Sequence, residues 1–347
     1  MVPDRYDPWA LPVLSAWPKV LQIVKGAIPR PEVVEIFPTN YCNFHCPHCR
    51  FKHHHGGAAA FAELALMRRL LEELAGKRIE NIELSGGGEP LIHPNAAELF
   101  DCLIDGKFRV GLITNGYPFI DQVGLQERVV ACCTWIRISA DAFTDETYQR
   151  VHGGKRLSYG LLKNALISLR KRAAGSPRIG IKMLISKLNV GDVQKAITEA
   201  IDIGADYLQL KSLGFPADLV LSGGEVERVS GQIGEQLAAL GPVPLSVDFL
   251  PSYRGALRSE KCLMTFLHPV VDWDGEVYVC PFFEHRKQRH SLGNIRSGGF
   301  FEVWDAAGHR AVFDAVDSLE CIPNCPMSRY NPLVDFMVAE EYRRGFI

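Results

Sequence analysis

Residues 135–141, WIRISAD, place Trp135, Arg137, Ser139 and Asp141 in alternation with Ile136, Ile138 and Ala140. A period of two is a strand with one polar face and one apolar face. The same pattern recurs in DYLQLKS (206–212), where Tyr207, Gln209 and Lys211 alternate with Leu208 and Leu210. It recurs again at 81–85, with Asn81, Glu83 and Ser85 against Ile82 and Leu84. A parallel sheet covered by helices on both faces reads as almost continuous apolar sequence. These strands do not. They point to an α/β fold with helices outside and a polar interior that receives a ligand, an open or partial barrel.

Outward from that strand, short apolar runs alternate with amphipathic ones from Val33 to about Ser212. Strands are expected at 33–38, 80–85, 108–114, 135–141, 178–185 and 206–212, with helices between them at 62–75, 95–105, 157–173 and 190–203. Six βα units of this spacing predict a partial (β/α)6 barrel with right-handed crossovers. The expected division is a helical arm over 1–32, the barrel over 33–225, and a linker helix and strand over 226–253. A small cysteine-bearing domain over 254–330 and a tail over 331–347 complete it. In the small domain, Asp274-Gly275 marks a β-hairpin turn between two β-rich runs.

The bulk numbers narrow the classes. A hydrophobic content of 47% with 22% charged residues in 347 is that of an ordinary globular chain. A formal net charge of −2 offers no electrostatic argument for nucleic acid or an anionic membrane. No run of about 18 apolar residues suggests a spanning helix, and the N-terminus lacks the pattern of a secretory signal. With ten cysteines in a large leaderless chain, metal binding is the better expectation than disulfides, and the cytoplasm the natural compartment.

Immediately after the first expected strand comes CNFHCPHC (42–49), with Cys42, Cys46 and Cys49 spaced C-x3-C-x2-C. Structural zinc is one reading, with His45 or His48 as fourth ligand, although no second close cysteine pair lies nearby. A 4Fe–4S cluster is another. It takes four cysteines when fully ligated, so three leave one iron open. The stretch resembles the cluster loop of the radical S-adenosylmethionine (radical SAM) superfamily. In that family the open iron chelates the amino and carboxylate groups of SAM. His48 stands where the family commonly has an aromatic residue, a departure that leaves the three ligands intact. A second match follows the second strand: SGGGEP (85–90) resembles the family's Gly-Gly-Glu segment. The resemblance implies that Gly86, Gly87 and Gly88 let the backbone approach SAM, with Glu89 near its amino group. It further implies SAM contacts at Ser139 and Asp141, ending the fourth strand, and at Asn115, ending the third. Arg137, Lys182 and Lys211 are candidates for substrate contact.

A second cysteine set occupies the C-terminal region. Cys262 and Cys280 enclose a C-x12-G-x4-C pattern, and Cys321 and Cys325 follow in CIPNC. The pattern resembles the start of the SPASM domain, and the small number of cysteines matches its shorter single-cluster version, the twitch domain. That resemblance implies one auxiliary 4Fe–4S cluster held by all four, suited to electron transfer or structural support. Zinc would need the same four ligands. Cys102, Cys132 and Cys133 are expected as buried small hydrophobes, and His53–His55 as a solvated loop.

The family's chemistry implies a radical SAM oxidoreductase: SAM is cleaved to a 5′-deoxyadenosyl radical that abstracts hydrogen from a substrate carbon. The expected partners are a small-molecule substrate and an external electron donor such as flavodoxin or ferredoxin. The twitch-like spacing favours dehydrogenation of a sugar or aminocyclitol-like metabolite, as in antibiotic biosynthesis, and the polar strand faces suit such a ligand. Radical epimerisation or other tailoring of a carbohydrate or nucleoside is an alternative. No cysteine outside the two sets maps to the reactive end, which disfavours epimerisation. Modification of a ribosomally made peptide is a further alternative, weakened because only 41 residues precede Cys42. A zinc-stabilised interaction protein without catalysis is the remote one.

Overall fold

The computed structural model describes residues 16–51, 58–250, 262–284, 287–317, 320–321 and 325. His53–His55, the start of the arm before Ala16 and the tail at 331–347 lie outside the described residues. The chain divides into two compact units, one of residues 35–252 with 272–275, the other of 1–34, 253–271 and 276–347.

The first unit is built on strands β1 (Val34–Ile36), β2 (Asn81–Leu84), β3 (Arg109–Thr114), β4 (Cys133–Ser139), β5 (Arg178–Ile185), β6 (Tyr207–Ser212) and β7 (Ser246–Leu250). They lie side by side in sequence order, and every pair from β2 to β7 is parallel. Strands added in order through right-handed crossovers leave all their helices on one side. The apolar residues of the strands face those helices. Ile136, Ile138, Ile181, Met183, Leu208 and Leu210 are fully buried, each contributing about 2 kcal/mol by leaving water. The alternate residues Trp135, Arg137 and Ser139 are only half-buried and line the other face. This is the open, polar-lined α/β barrel that the alternation predicts. The strand expected in the linker over 226–253 forms as β7 and pairs with β6, so the parallel array has a seventh member.

Two aromatic rings on that inner face lie against glycines of the neighbouring strands. A Cβ on Gly111 would lie 2.1 Å from the Trp135 ring, and one on Gly180 would lie 1.9 Å from the Tyr207 ring. Glycine at these positions lets each ring lie flat across the neighbouring strand. Ser158 caps the helix Tyr159–Ala173, and a Ser222–Glu225 capping box starts Gly223–Leu240. Two helices escape the periodicity reading, Val123–Cys132 and Asp145–His152. The second is short and polar, yet well specified at its ends. Thr144 accepts from the Thr147 amide, acidic residues open it, basic ones close it, and Gly153 ends it in a left-handed conformation.

The second unit combines both chain ends. Helix Trp17–Val24 buries Val20 and Ile23 against Phe266, Leu267 and Phe313. The Glu32 and Val33 amides donate to the Leu267 carbonyl, and Trp304 Nε1 donates to the Pro29 carbonyl at 2.9 Å. The expected arm is therefore packed onto C-terminal residues. Strands β8 (Val270–Val271), β9 (Glu276–Tyr278) and β10 (Ser291–Asn294) pair antiparallel in sequence. The β8–β9 hairpin turns at Asp274-Gly275, where Gly275 has φ +86°. Among the described residues no helix is long and apolar enough to cross a membrane.

Candidate functional site

The loop after β1 carries the three-cysteine motif, and packing sets its path. Phe44 is buried among Tyr117, Tyr148 and His152, at ring-centroid distances of 5.5, 5.9 and 4.6 Å. The His45 amide donates to the His152 carbonyl at 2.9 Å, and the Cys49 amide closes a turn on the Cys46 carbonyl at 3.0 Å. Cys46 Sγ lies 3.1 Å from His152 Nδ1, while His152 Nε2 bonds the Ala140 carbonyl at 2.8 Å. A carbonyl only accepts, so Nε2 carries the proton. Burial holds the His152 imidazole down at about 4, a neutral ring at ordinary pH. His152 comes from the polar helix that the sequence reading passes over. The only signals for it are the Thr-Asp-Glu-Thr start and the Gly153 stop.

The three thiols feel one another's charge. Burial, followed by Glu89, pushes the Cys42 thiol up to about 12, and Cys49 adds to the rise. Burial also raises Cys46 well above the ordinary thiol range, with contributions from Asp141, Cys49 and Cys42. Such thiols stay protonated alone and ionise when a metal displaces the proton. Among the described residues no three His, Cys, Asp or Glu side chains meet the requirement for one metal ion. Three thiols from one loop suit a multinuclear iron–sulfur cluster, in which each iron takes its own thiolate.

Glu89 occupies the centre of the next layer. Its carboxylate accepts from Thr114 Oγ1 at 2.6 Å, the Asn115 amide at 2.7 Å and the Leu91 amide at 3.0 Å. Complete burial still outweighs these three donors and lifts Glu89 to about 7. A cation beside it would relieve that cost. Gly88 is in tight contact: a Cβ there would lie 2.0 Å from the Tyr41 carbonyl. The Glu89 amide donates to the same carbonyl at 2.8 Å, which ties the glycine segment to the cysteine loop. Asn115 continues the link, its Nδ2 bonding Asn43 Oδ1 at 2.8 Å and standing 3.8 Å from Cys42 Sγ. Asn115 and Glu89 thus come together. Thr114, next to Asn115, was not singled out from the sequence.

Asp141 adopts a left-handed conformation at φ +56°. Its Oδ1 accepts from the Leu184 amide at 2.7 Å, and its Oδ2 lies 3.4 Å from His48 Nε2, both side chains being buried. Burial raises the Asp141 carboxyl, but His48, Lys182 and His152 together outweigh it and hold the group below its usual range. The departure at His48 therefore has a local role, since it braces the cysteine loop against the end of β4. Ser139 ends β4 opposite Lys182 on β5, and Lys182 in turn faces Gln209 on β6. Lys211 lies farther along β6, opposite Leu184. A cleft of about 560 Å³ opens beside the loop, lined by His45, Cys46 and Pro47 and by Arg150, Leu188 and Leu219.

In the second unit, Cys280 follows β9 beside the stacked rings of Tyr278 and Phe283, 3.8 Å apart. Burial raises its thiol well above the ordinary range, and Cys325, Cys262 and Cys321 each add to the rise. The four C-terminal cysteines are thus neighbours. No disulfide joins any of the ten cysteines. Cys132 and Cys133 are buried where β4 begins, the end opposite Ser139 and Asp141, whereas Cys102, expected buried, is only half-buried on helix Ala96–Asp105.

Comparison with known proteins follows the same division. Residues 36–200 match the model of the radical SAM superfamily, and residues 262–327 match SPASM, an iron–sulfur cluster-binding domain. The chain is similar to the mycofactocin maturase MftC of Mycobacterium ulcerans (strain Agy99), 27% identical over 304 residues, covering 84% of this chain and 79% of that protein. It is similar to the PqqA peptide cyclase of Ruegeria pomeroyi, 24% identical over 250 residues, covering 68% of this chain and 63% of the relative. The crystal structure of Streptococcus suis SuiB bound to S-adenosylmethionine superposes with a TM-score of 0.66 at 13% identity. It covers 85% of this chain and 70% of that one, a likeness of fold.

Proposed function

The chain belongs to the radical SAM superfamily and carries a SPASM-type cluster domain at its C-terminal end, and from this we propose that it modifies a peptide substrate. It is a radical SAM enzyme whose cofactors are S-adenosylmethionine, the 4Fe–4S cluster that binds it, and an auxiliary iron–sulfur cluster. The expectation of a sugar or aminocyclitol gives way to the peptide alternative. The observation that carries this is the similarity, over 84% of the chain, to a maturase named for mycofactocin, together with that to a PqqA peptide cyclase.

Bound SAM and its cluster supply a deoxyadenosyl radical able to take hydrogen from an unactivated carbon. The protein's task is to position and enclose the reacting groups. Cys42, Cys46 and Cys49 would hold the first cluster, on a loop whose course Phe44 and His152 set by packing. Gly86–Gly88 and Asn115 would bound the SAM site, with Glu89 turned to the cationic amino group. The buried carboxylate, raised to about 7, is the feature that a cation would stabilise. Cys262, Cys280, Cys321 and Cys325 would hold the auxiliary cluster. With every thiol near the reactive end assigned to a cluster, no spare thiol stands ready to return hydrogen. That favours bond formation or oxidation over epimerisation.

The test is anaerobic turnover of the reconstituted protein with peptides encoded beside its gene, set against sugar alcohols and aminocyclitols. Deoxyadenosine released in step with a mass change in a peptide supports the proposal. A ketone on a sugar, with every peptide unchanged, overturns it.

A further inference from the structure

The inner face of the barrel holds two basic side chains that make no salt bridge among the described residues. Arg137 on β4 lies above Trp135, its guanidinium carbon 5.7 Å from the ring centroid. Its Nε is buried and, among the described residues, has no hydrogen-bond partner. Lys182 lies one strand over, on the same face. It is half-buried, with Arg137 and Arg50 near enough to act on it, and among the described residues it makes no salt bridge or hydrogen bond. The nearest acid to act on it, Asp141, already has one carboxylate oxygen on the Leu184 amide and the other toward His48. Burial, then Arg137, draws Lys182 down to about 8. Gln209, buried and opposite Lys182 in register, brings an amide to the same layer. Trp135 and Tyr207 precede Arg137 and Gln209 by two residues on the same strand faces.

Two half-buried basic groups on one face of adjacent strands cost stability unless something anionic arrives to meet them. A guanidinium and an ammonium on adjacent strands suit a carboxylate, the first as a planar fork and the second as a point charge. We propose that Arg137 and Lys182 form a subsite for a carboxylate group of the substrate, which anchors the reacting segment inside the barrel. This rests on the peptide reading above, where the carboxylate is an acidic side chain or a chain terminus. The same chemistry could be met by the carboxylate of SAM, and the experiment separates these sources.

The holoenzyme, with both clusters in place, is acetylated by a neutral active ester at pH 7, and modification of Lys182 is followed by mass spectrometry. Saturating SAM is then added, followed by millimolar N-acetylglycine, N-acetylglutamate α-amide or the uncharged N-acetylglutamine amide. With SAM already bound, both carboxylates should slow Lys182 acetylation by severalfold and the uncharged probe should not. The stronger of the two tells a terminal carboxylate from a side-chain one. Arg137→Gln should abolish the protection and Arg137→Lys should retain part of it, with SAM affinity and iron content unchanged in both. Complete protection by SAM alone, with Arg137→Gln weakening SAM binding, would assign the pair to the cofactor and overturn the proposal. Equal labelling with every probe would make the cations structural and overturn it too. No turnover is involved, so failure of the peptide reading in the product assay leaves this measurement interpretable.

Discussion

At the scale of single residues, Glu89 shows how burial and hydrogen bonding compete. Three donors meet its carboxylate, yet complete burial moves it from 4.5 to about 7. The folded protein therefore keeps a proton that the unfolded chain loses between those values. Stability from this group is fully present below 4.5 and is lost as pH rises through about 7. A shift of this size corresponds to about 3 kcal/mol. Urea unfolding of the metal-free chain should show wild type losing stability between pH 5.5 and pH 8 relative to Glu89→Gln. Parallel curves for the two proteins would contradict that. Glu89 and Asn115 were legible in the sequence because each sits in a short motif after a strand. His152 and the His48–Asp141 contact were not. Cys46 and His152 are far apart in sequence, and only the folded chain brings them to 3.1 Å.

Elements show the same division. Two-residue periodicity identified β4, β6 and their two faces, since alternate side chains on a pleated strand must point oppositely. Which residue lies beside which on adjacent strands is a matter of register, and that came from pairing. Gly111 pairs with Trp135 and Gly180 with Tyr207, so each ring needs a glycine on the neighbouring strand. Gly180→Ala would bring a methyl to 1.9 Å from Tyr207 Cζ and should cost about 1–3 kcal/mol. Tyr207→Ala should relieve part of that cost. The double-mutant cycle read by denaturant unfolding should therefore be non-additive. Strict additivity would mean that the ring and the glycine are not in contact. Helix Asp145–His152 was missed for a different reason: its polar composition gives little apolar periodicity, and its end signals specify it instead.

For the whole molecule, the two cysteine sets fall in different units, so cluster binding should separate. Cys280→Ser should lower reconstituted iron from about eight to about four per chain and leave the first cluster's SAM-binding signature in place. Cys42→Ala should leave the auxiliary iron and abolish deoxyadenosine formation. Loss of all iron in either variant would show that the two sites depend on each other. The sequence by itself determined the α/β class, the strand faces and the two cysteine sets, because periodicity and ligand spacing are local properties of a chain. Tertiary structure decided the rest. It joined a seventh strand to the sheet, packed the N-terminal arm onto C-terminal residues, and put Arg137 and Lys182 on one face of adjacent strands with no salt bridge among the described residues. Those outcomes depend on contacts between distant residues, and such contacts exist only once burial has chosen which surfaces leave water.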